Sequence, residues 1–190
     1  MRSISKLLFV VCALLCASTA QKEKFVGIKD IAAAGKINSG GYTNSLLGVA
    51  IDAPDANLTL NPYIQESAQR GRILQVLSKP TNWDDTYTIA LLADLLAVNP
   101  LVKTPDDYVR SVRHGFEHQG QPTVREEFPI SIGGVRFIVA MTEEHVPNGK
   151  KYYHGIYTTF RRGYILSLDV EASAPWKLNE LVARQVKFEK

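Results

Sequence analysis

His114 and His118 stand four residues apart in a stretch with helical signals, with Glu117 between them. On a helix that spacing projects both imidazoles from one face, the geometry that can hold zinc or copper with a carboxylate oxygen as a further ligand. A zinc-hydrolase helix also needs glutamate immediately after its first histidine, and Gly115 stands there instead. A metal site on this pair would therefore need His145 or His154 to converge on it from elsewhere in the fold, and a solvated pair is the competing reading. Two further chemistries are excluded by spacing. The segment Gly35-Lys36-Ile37-Asn38-Ser39-Gly40-Gly41 has glycines spaced as in a phosphate loop, but Gly41-Tyr42 replaces the lysine and hydroxyl residue that would meet phosphate and magnesium. No glycine–x–serine–x–glycine elbow occurs, so an elbow-type serine hydrolase has no sequence support. A small hydrolase of another kind would need a pocket with a serine or carboxylate beside a histidine.

Arg161 and Arg162, with Lys150 and Lys151, fall at the turn ends of one expected hairpin whose strands carry Tyr152, Tyr153, Tyr157 and Phe160. Arginine and tyrosine are enriched at interfaces, so Arg161, Arg162, Tyr153 and Tyr157 are the candidate interaction residues. The alternative is that the basic turns keep the protein soluble while the aromatics pack the sheet. Asn57-Leu58-Thr59 would accept a glycan only on a eukaryotic secretory route.

Whatever these residues do depends on where the chain goes and how it folds. Arg2 and Lys6, the apolar run Leu7–Leu15 and the small residues up to Ala20 have the three-part layout of a secretory signal peptide, so export to the periplasm or the cell exterior is expected. The run is too short to span a hydrocarbon core. Of the 190 residues, 170 remain after such a leader, enough for one domain. Both cysteines, Cys12 and Cys16, lie in the leader, which leaves no disulfide, iron–sulfur cluster or thiol nucleophile beyond it. Hydrophobic residues at 45% and charged residues at 22% are globular values. Past the leader 20 basic residues face 19 acidic ones, so charge gives nucleic-acid binding no support.

Residues 21–41 mix charge with small side chains and read as a flexible lead-in, followed by one α+β domain over 42–190. A strand is expected over about 42–52, a short helix near 63–69 and a second strand over 73–77. Residues 86–98 suit strand or helix, and Thr86, Tyr87, Thr88 and Ile89 favour strand. Thr104, Pro105, Asp106 and Asp107 start a helix over about 105–118, with Val109, Val112 and Phe116 on its inner face. Clean apolar alternation predicts strands near 124–132, 135–143, 151–160 and 164–172, joined by turns at Gly133-Gly134, 147–150 and 161–163. Ser173 and Pro175 then open a helix burying Leu178, Leu181 and Val182.

The order Gly41-Tyr42-Thr43-Asn44, Leu47-Gly48 and Pro54, then a capped central helix, then Gly163-Tyr164-Ile165-Leu166-Ser167-Leu168 before a final helix, resembles the PsbP-like family over residues 42 to about 188. That family includes extrinsic proteins of photosystem II, a Ran-binding import factor and many exported bacterial proteins, the last usually with a glycine–tryptophan pair where Asp55-Ala56 stands here. The resemblance implies an antiparallel sheet sandwiched by helices, no catalytic residue and no cofactor. It implies an exported, noncatalytic module that binds a protein partner or a small ligand. A metal-binding protein or small metallohydrolase using His114 and His118 is the competing class.

Overall fold

A computed structural model describes residues 27–53, 56–59, 64–65, 70–78, 86–146 and 149–189. In chain order these form α1 (Ile28–Ala33), β1 (Gly35–Asn38), β2 (Gly41–Asn44), β3 (Val49–Asp52), β4 (Ala56–Thr59), β5 (Ile64–Gln65), β6 (Arg70–Ser78), β7 (Tyr87–Leu95), α2 (Pro105–His118), β8 (Thr123–Ile132), β9 (Val135–His145), β10 (Lys151–Arg161), β11 (Tyr164–Ala172), α3 (Pro175–Gln185) and β12 (Val186–Phe188). The class is α+β, with antiparallel sheets and three helices. The larger sheet runs β4-β6-β7-β11-β10-β9-β8, with β5 also on β6, and the smaller runs β1-β2-β3-β12.

The alternation of Phe137, Val139 and Met141 on β9 with Leu166, Leu168 and Val170 on β11 commits one face of the large sheet to a single core. Ile28 and Ile31 of α1, Tyr42, Leu47 and Ile51 of the small sheet, and Leu178 and Val182 of α3 pack onto that face. The opposite face carries α2, whose Val109 packs on Ile138 and Ala140. The sheet is therefore layered between helices, with most of its large apolar side chains on the α1 and α3 side and Leu92, Ile138, Ile156 and Ile165 buried on the other. The hairpins β8–β9 and β10–β11 close through two central residues in the left-handed region, Gly133 (φ 56°) with Gly134 (φ 81°) and Arg162 (φ 50°) with Gly163 (φ 82°). The α2 N-terminus is a capping box: Asp107 N–H donates to Thr104 Oγ1 (3.2 Å), while Thr104 N–H donates to Asp107 Oδ2 (2.8 Å). These bonds hold the Asp107 carboxyl below its ordinary range.

Several expectations need correction. Part of the expected lead-in is ordered as α1 and β1; a six-residue helix shows too few turns to reveal a period, yet Ile28 and Ile31 are fully buried. The expected strand over 42–52 is broken after Asn44 and resumes at Val49, with Gly48 at φ 60° in the turn between. In the expected 63–69 helix, Ile64 and Gln65 are paired on β6 instead, and the other residues lie outside the described ones. Ala174 rather than Ser173 is the α3 N-cap and makes no side-chain bond, so Pro175 alone marks that start. The 86–98 segment is strand to Leu95 and then one 3-10 turn, Leu96–Val98. The leader and the first half of the 147–150 turn also lie outside the described residues. Among those described, no helix is long and apolar enough to cross a membrane.

Candidate functional site

Cross-strand register assembles the second face of the large sheet. On β11 the apolar residues Leu166, Leu168 and Val170 point to the main core, so Ser167, Asp169 and Glu171 must point to the other side, under α2. Antiparallel pairing sets His154 of β10 opposite Glu171 and Ile156 opposite Asp169, while β9 places Thr142 opposite His154. A polar stripe thus crosses a sheet whose reverse side is mostly apolar.

His154 is the centre of that stripe, with only 7% of its side chain exposed. Its Nε2 lies 3.1 Å from Glu144 Oε2. Its Nδ1 lies 3.7 Å from Glu171 Oε1 and 3.8 Å from Asp169 Oδ1, both beyond hydrogen-bond distance. Nδ1 and Asp169 Oδ1 are both buried without a hydrogen-bond partner. Phe116 of α2 covers the imidazole at 5.5 Å between ring centroids. Burial opposes a charge on His154, but Asp169, Glu171 and Glu144 outweigh it and push its pKa up to about 9. Burial and the charge of Asp169 raise the Glu171 carboxyl, against the pull of His154 and a bond from Thr88.

Beside this cluster a small cleft opens between α2 and the sheet. Tyr108, Val112 and Phe116 form its roof, and Leu92, Ile156, Ser167 and Asp169 its floor. Two bonds keep the walls apart at a fixed distance. Tyr108 Oη donates to Asp94 Oδ2 of β7 at 2.5 Å, and Arg113 of α2 donates from Nε to Glu127 Oε1 of β8 at 3.0 Å. Ser167 Oγ and Thr158 Oγ1 bond each other at 2.9 Å, so the floor serine is engaged across β10 and β11.

The residues singled out from sequence are dispersed. His114 is exposed, with Nδ1 2.8 Å from Glu117 Oε2, and His118 is exposed at the end of α2. Glu117, bonded by Thr123, His114 and Arg113, is held down at a pKa of about 2. His145 reaches Glu143 Oε1 at 3.2 Å. Among the described residues, the group of histidine and acidic side chains close enough to share an ion is His154, Asp169 and Glu171, which includes neither His114 nor His118. Tyr157 is fully buried in the main core and donates its hydroxyl to Asn179 Oδ1 of α3 at 2.9 Å, and Tyr153 packs at the edge of the same core.

Arg161 and Arg162 both reach back to the β2–β3 turn. Arg161 Nε donates to Leu47 O at 2.8 Å, and Arg162 Nη1 donates to Ser45 O at 2.6 Å and Leu46 O at 3.1 Å. Glycine at 48 makes room for them, since a Cβ there would stand 2.8 Å from Arg161 Nη2 and 2.9 Å from Arg162 Nη2. The pair fastens the small sheet to the β10–β11 hairpin. Arg161→Ala is expected to lose about 2 kcal/mol in urea unfolding, the scale of charge-assisted bonds to partly buried carbonyls. Arg161→Lys, which cannot reproduce the planar Nε donor, is expected to recover less than half of that.

Sequence reasoning passed over Asp169 and Glu171. The signal was present as charged residues at alternate positions inside an apolar strand, Leu166-Ser167-Leu168-Asp169-Val170-Glu171, where a merely solvated face would not lie beneath a helix.

No protein-family model matches the chain, and no curated protein matches it. Solved structures do. LpqN of Mycobacterium tuberculosis, described as involved in cell envelope biogenesis, is similar at 15% identity, with 75% of this chain and 83% of that one covered and a TM-score of 0.44. A protein of Bacteroides thetaiotaomicron VPI-5482 is similar at 11% identity and a TM-score of 0.39, with 81% of this chain covered. The chain spans half the length of the latter. The functional reading therefore rests on the site itself.

Proposed function

We propose that the protein is an exported, noncatalytic binding module of PsbP-like kinship whose ligand enters the cleft between α2 and the large sheet. The observation that carries this reading is the composition of the cleft, in which apolar and aromatic walls from Leu92, Tyr108, Val112, Phe116 and Ile156 converge on one carboxylate, Asp169, whose Oδ1 has no hydrogen-bond partner. An apolar body with a cationic or hydrogen-donating head matches that lining, because the head supplies the missing donor and the body displaces water from the walls.

The groups a hydrolase would need are engaged otherwise. Ser167 bonds Thr158, and His154, whose pKa the facing carboxylates push up to about 9, is poorly matched to act as a general base near neutral pH. The sequence resemblance, which implies a binding or assembly role, points the same way.

Titration with hexylamine and with hexanoate, followed by NMR, tests the proposal. Hexylamine is expected to shift resonances of Val112, Phe116 and Ile156 saturably and to bind at least tenfold more tightly than hexanoate, about one charge-assisted hydrogen bond in free energy. Val112→Trp, which fills the cleft from its roof, is expected to abolish the shifts. Equal binding of amine and carboxylate, or undiminished amine binding by the Val112→Trp protein, would overturn the reading.

A further inference from the structure

We propose that His154 Nδ1, Asp169 and Glu171 form a binding site for one divalent transition-metal ion, zinc foremost, with Glu144 orienting the histidine. The site shares Asp169 with the proposed cleft but uses none of the cleft's apolar walls.

Distance is the first argument. His154 Nδ1 stands 3.7 Å from Glu171 Oε1 and 3.8 Å from Asp169 Oδ1. Those separations are too long for hydrogen bonds. Donor atoms around a tetrahedral ion with bonds of about 2.0–2.2 Å lie roughly 3.3–3.6 Å from one another, so His154 Nδ1 needs to approach each carboxylate by only a few tenths of an ångström, and all three donor atoms lie within 4.8 Å of one another.

Burial without a partner is the second argument. The His154 side chain is 93% buried, and its Nδ1 makes no hydrogen bond; neither does the buried Oδ1 of Asp169. Buried polar atoms are nearly always satisfied, and here two unsatisfied ones face each other. An ion between them satisfies both at once.

The third argument is orientation. Glu144 Oε2 lies 3.1 Å from His154 Nε2. A neutral imidazole that donates its Nε2–H to that carboxylate carries its lone pair on Nδ1, aimed at Asp169 and Glu171. The carboxylate–histidine–metal relay of zinc sites has this form. The side chains of Asp169 and Glu171 are 29% and 36% exposed, which gives an ion a route from solvent. One imidazole among carboxylates selects zinc and its first-row neighbours over magnesium and calcium, which take oxygen donors alone.

Calorimetric titration of the EDTA-stripped protein with zinc chloride tests the site. One zinc per chain is expected, with magnesium and calcium at least 100-fold weaker. Asp169→Asn and Glu171→Gln, which keep side-chain volume, are each expected to weaken zinc at least tenfold, and His154→Gln at least 100-fold. Glu144→Gln, the positioning variant, is expected to weaken it about tenfold while leaving the one-to-one stoichiometry intact. Cobalt is expected to give visible absorption bands that the His154→Gln protein lacks, with circular dichroism showing that each variant is folded. The double variant His114→Gln/His118→Gln is expected to bind as the parent does, and so is Val112→Trp, which separates this site from the cleft. The absence of saturable one-to-one binding would overturn the proposal and leave a histidinium held by three carboxylates. Undiminished binding by His154→Gln and Asp169→Asn, or loss of binding in the His114/His118 double variant, would overturn it too.

Discussion

Phe137→Ala is expected to cost about 3–5 kcal/mol of stability, read as a shift in urea midpoint at unchanged slope. Phe137 is fully buried on β9, and its ring stands 5.3 Å from that of Phe188 on β12, tilted by 44°. The large sheet and the small sheet meet at that pair. Removing the ring leaves a cavity between two sheets whose backbones are fixed by their own ladders, so neither can collapse far to fill it, which places the cost toward the upper end of the range. Val112→Ala, on the half-buried roof of the cleft, is expected to cost about 1 kcal/mol, because its side chain already borders open space. A ratio near one between the two variants would mean that the two faces of the sheet share the stabilising work equally.

That asymmetry locates function as well as stability. One face of the large sheet carries the apolar ballast of two helices and a second sheet. The face beneath α2 buries His154, Thr142, Thr158, Ser167 and Asp94 together with only a few aliphatic side chains. Such polar burial is costly unless every group is satisfied, and two of the unsatisfied atoms, His154 Nδ1 and Asp169 Oδ1, sit where the cluster and the cleft meet. The proposed cleft and metal site both lie on the side of the sheet opposite the main core.

The strands β9 to β11 were legible because apolar residues alternate toward the core, and their turns carry glycine where the backbone must be left-handed, whereas on β8 the expected Val124 is exposed in a stretch with two register shifts. The start of α2 was legible because its capping box is local. Less legible was anything decided by pairing between distant segments. The strand β12 is three residues long and exists because Val186, Lys187 and Phe188 find β3. The strand β7 lies beside β11 although α2 and three strands separate them in sequence. Arg161 and Arg162 bond backbone carbonyls more than a hundred positions earlier, and Arg161 also reaches Glu189 O, contacts that no local pattern announces. The same reason hid the cluster: His154 meets Glu171 and Asp169 only through the β10–β11 register, and a shift of one residue would turn its neighbours to the opposite face. Helical spacing made His114 and His118 conspicuous, while strand register made His154 consequential.

Stability of the EDTA-treated protein is expected to fall as pH rises from 6.5 to 9, and His154 is the group responsible. In the unfolded chain a histidine titrates near its ordinary value of about 6.5, whereas in the fold His154 titrates at about 9. A raised pKa means that the folded protein holds the proton more tightly than the unfolded chain does. The resulting stabilisation is fully present below pH 6.5 and is lost as pH climbs through 9, and a shift of this size amounts to about 3 kcal/mol at most. The groups facing the ring are Glu144 from β9, Asp169 and Glu171 from β11, and the uncharged Phe116 from α2. Glu171, itself raised, acts in the same direction, because its folded form also prefers the proton. Glu117 acts oppositely and elsewhere on the scale: with its pKa lowered to about 2, its contribution is present above pH 4.5 and is lost as pH falls toward 2. The buried hydroxyls of Tyr42 and Tyr157 are both raised above the ordinary tyrosine value of 10 and hold their protons throughout the 6.5–9 window. Urea unfolding at pH 6, 7, 8 and 9 is therefore expected to show a declining free energy for the parent and a nearly flat one for His154→Gln, whose amide keeps a donor toward Glu144 but carries no titratable proton. Parallel slopes for the two proteins would assign the pH dependence to other groups and remove the charge on His154 from the account of this face.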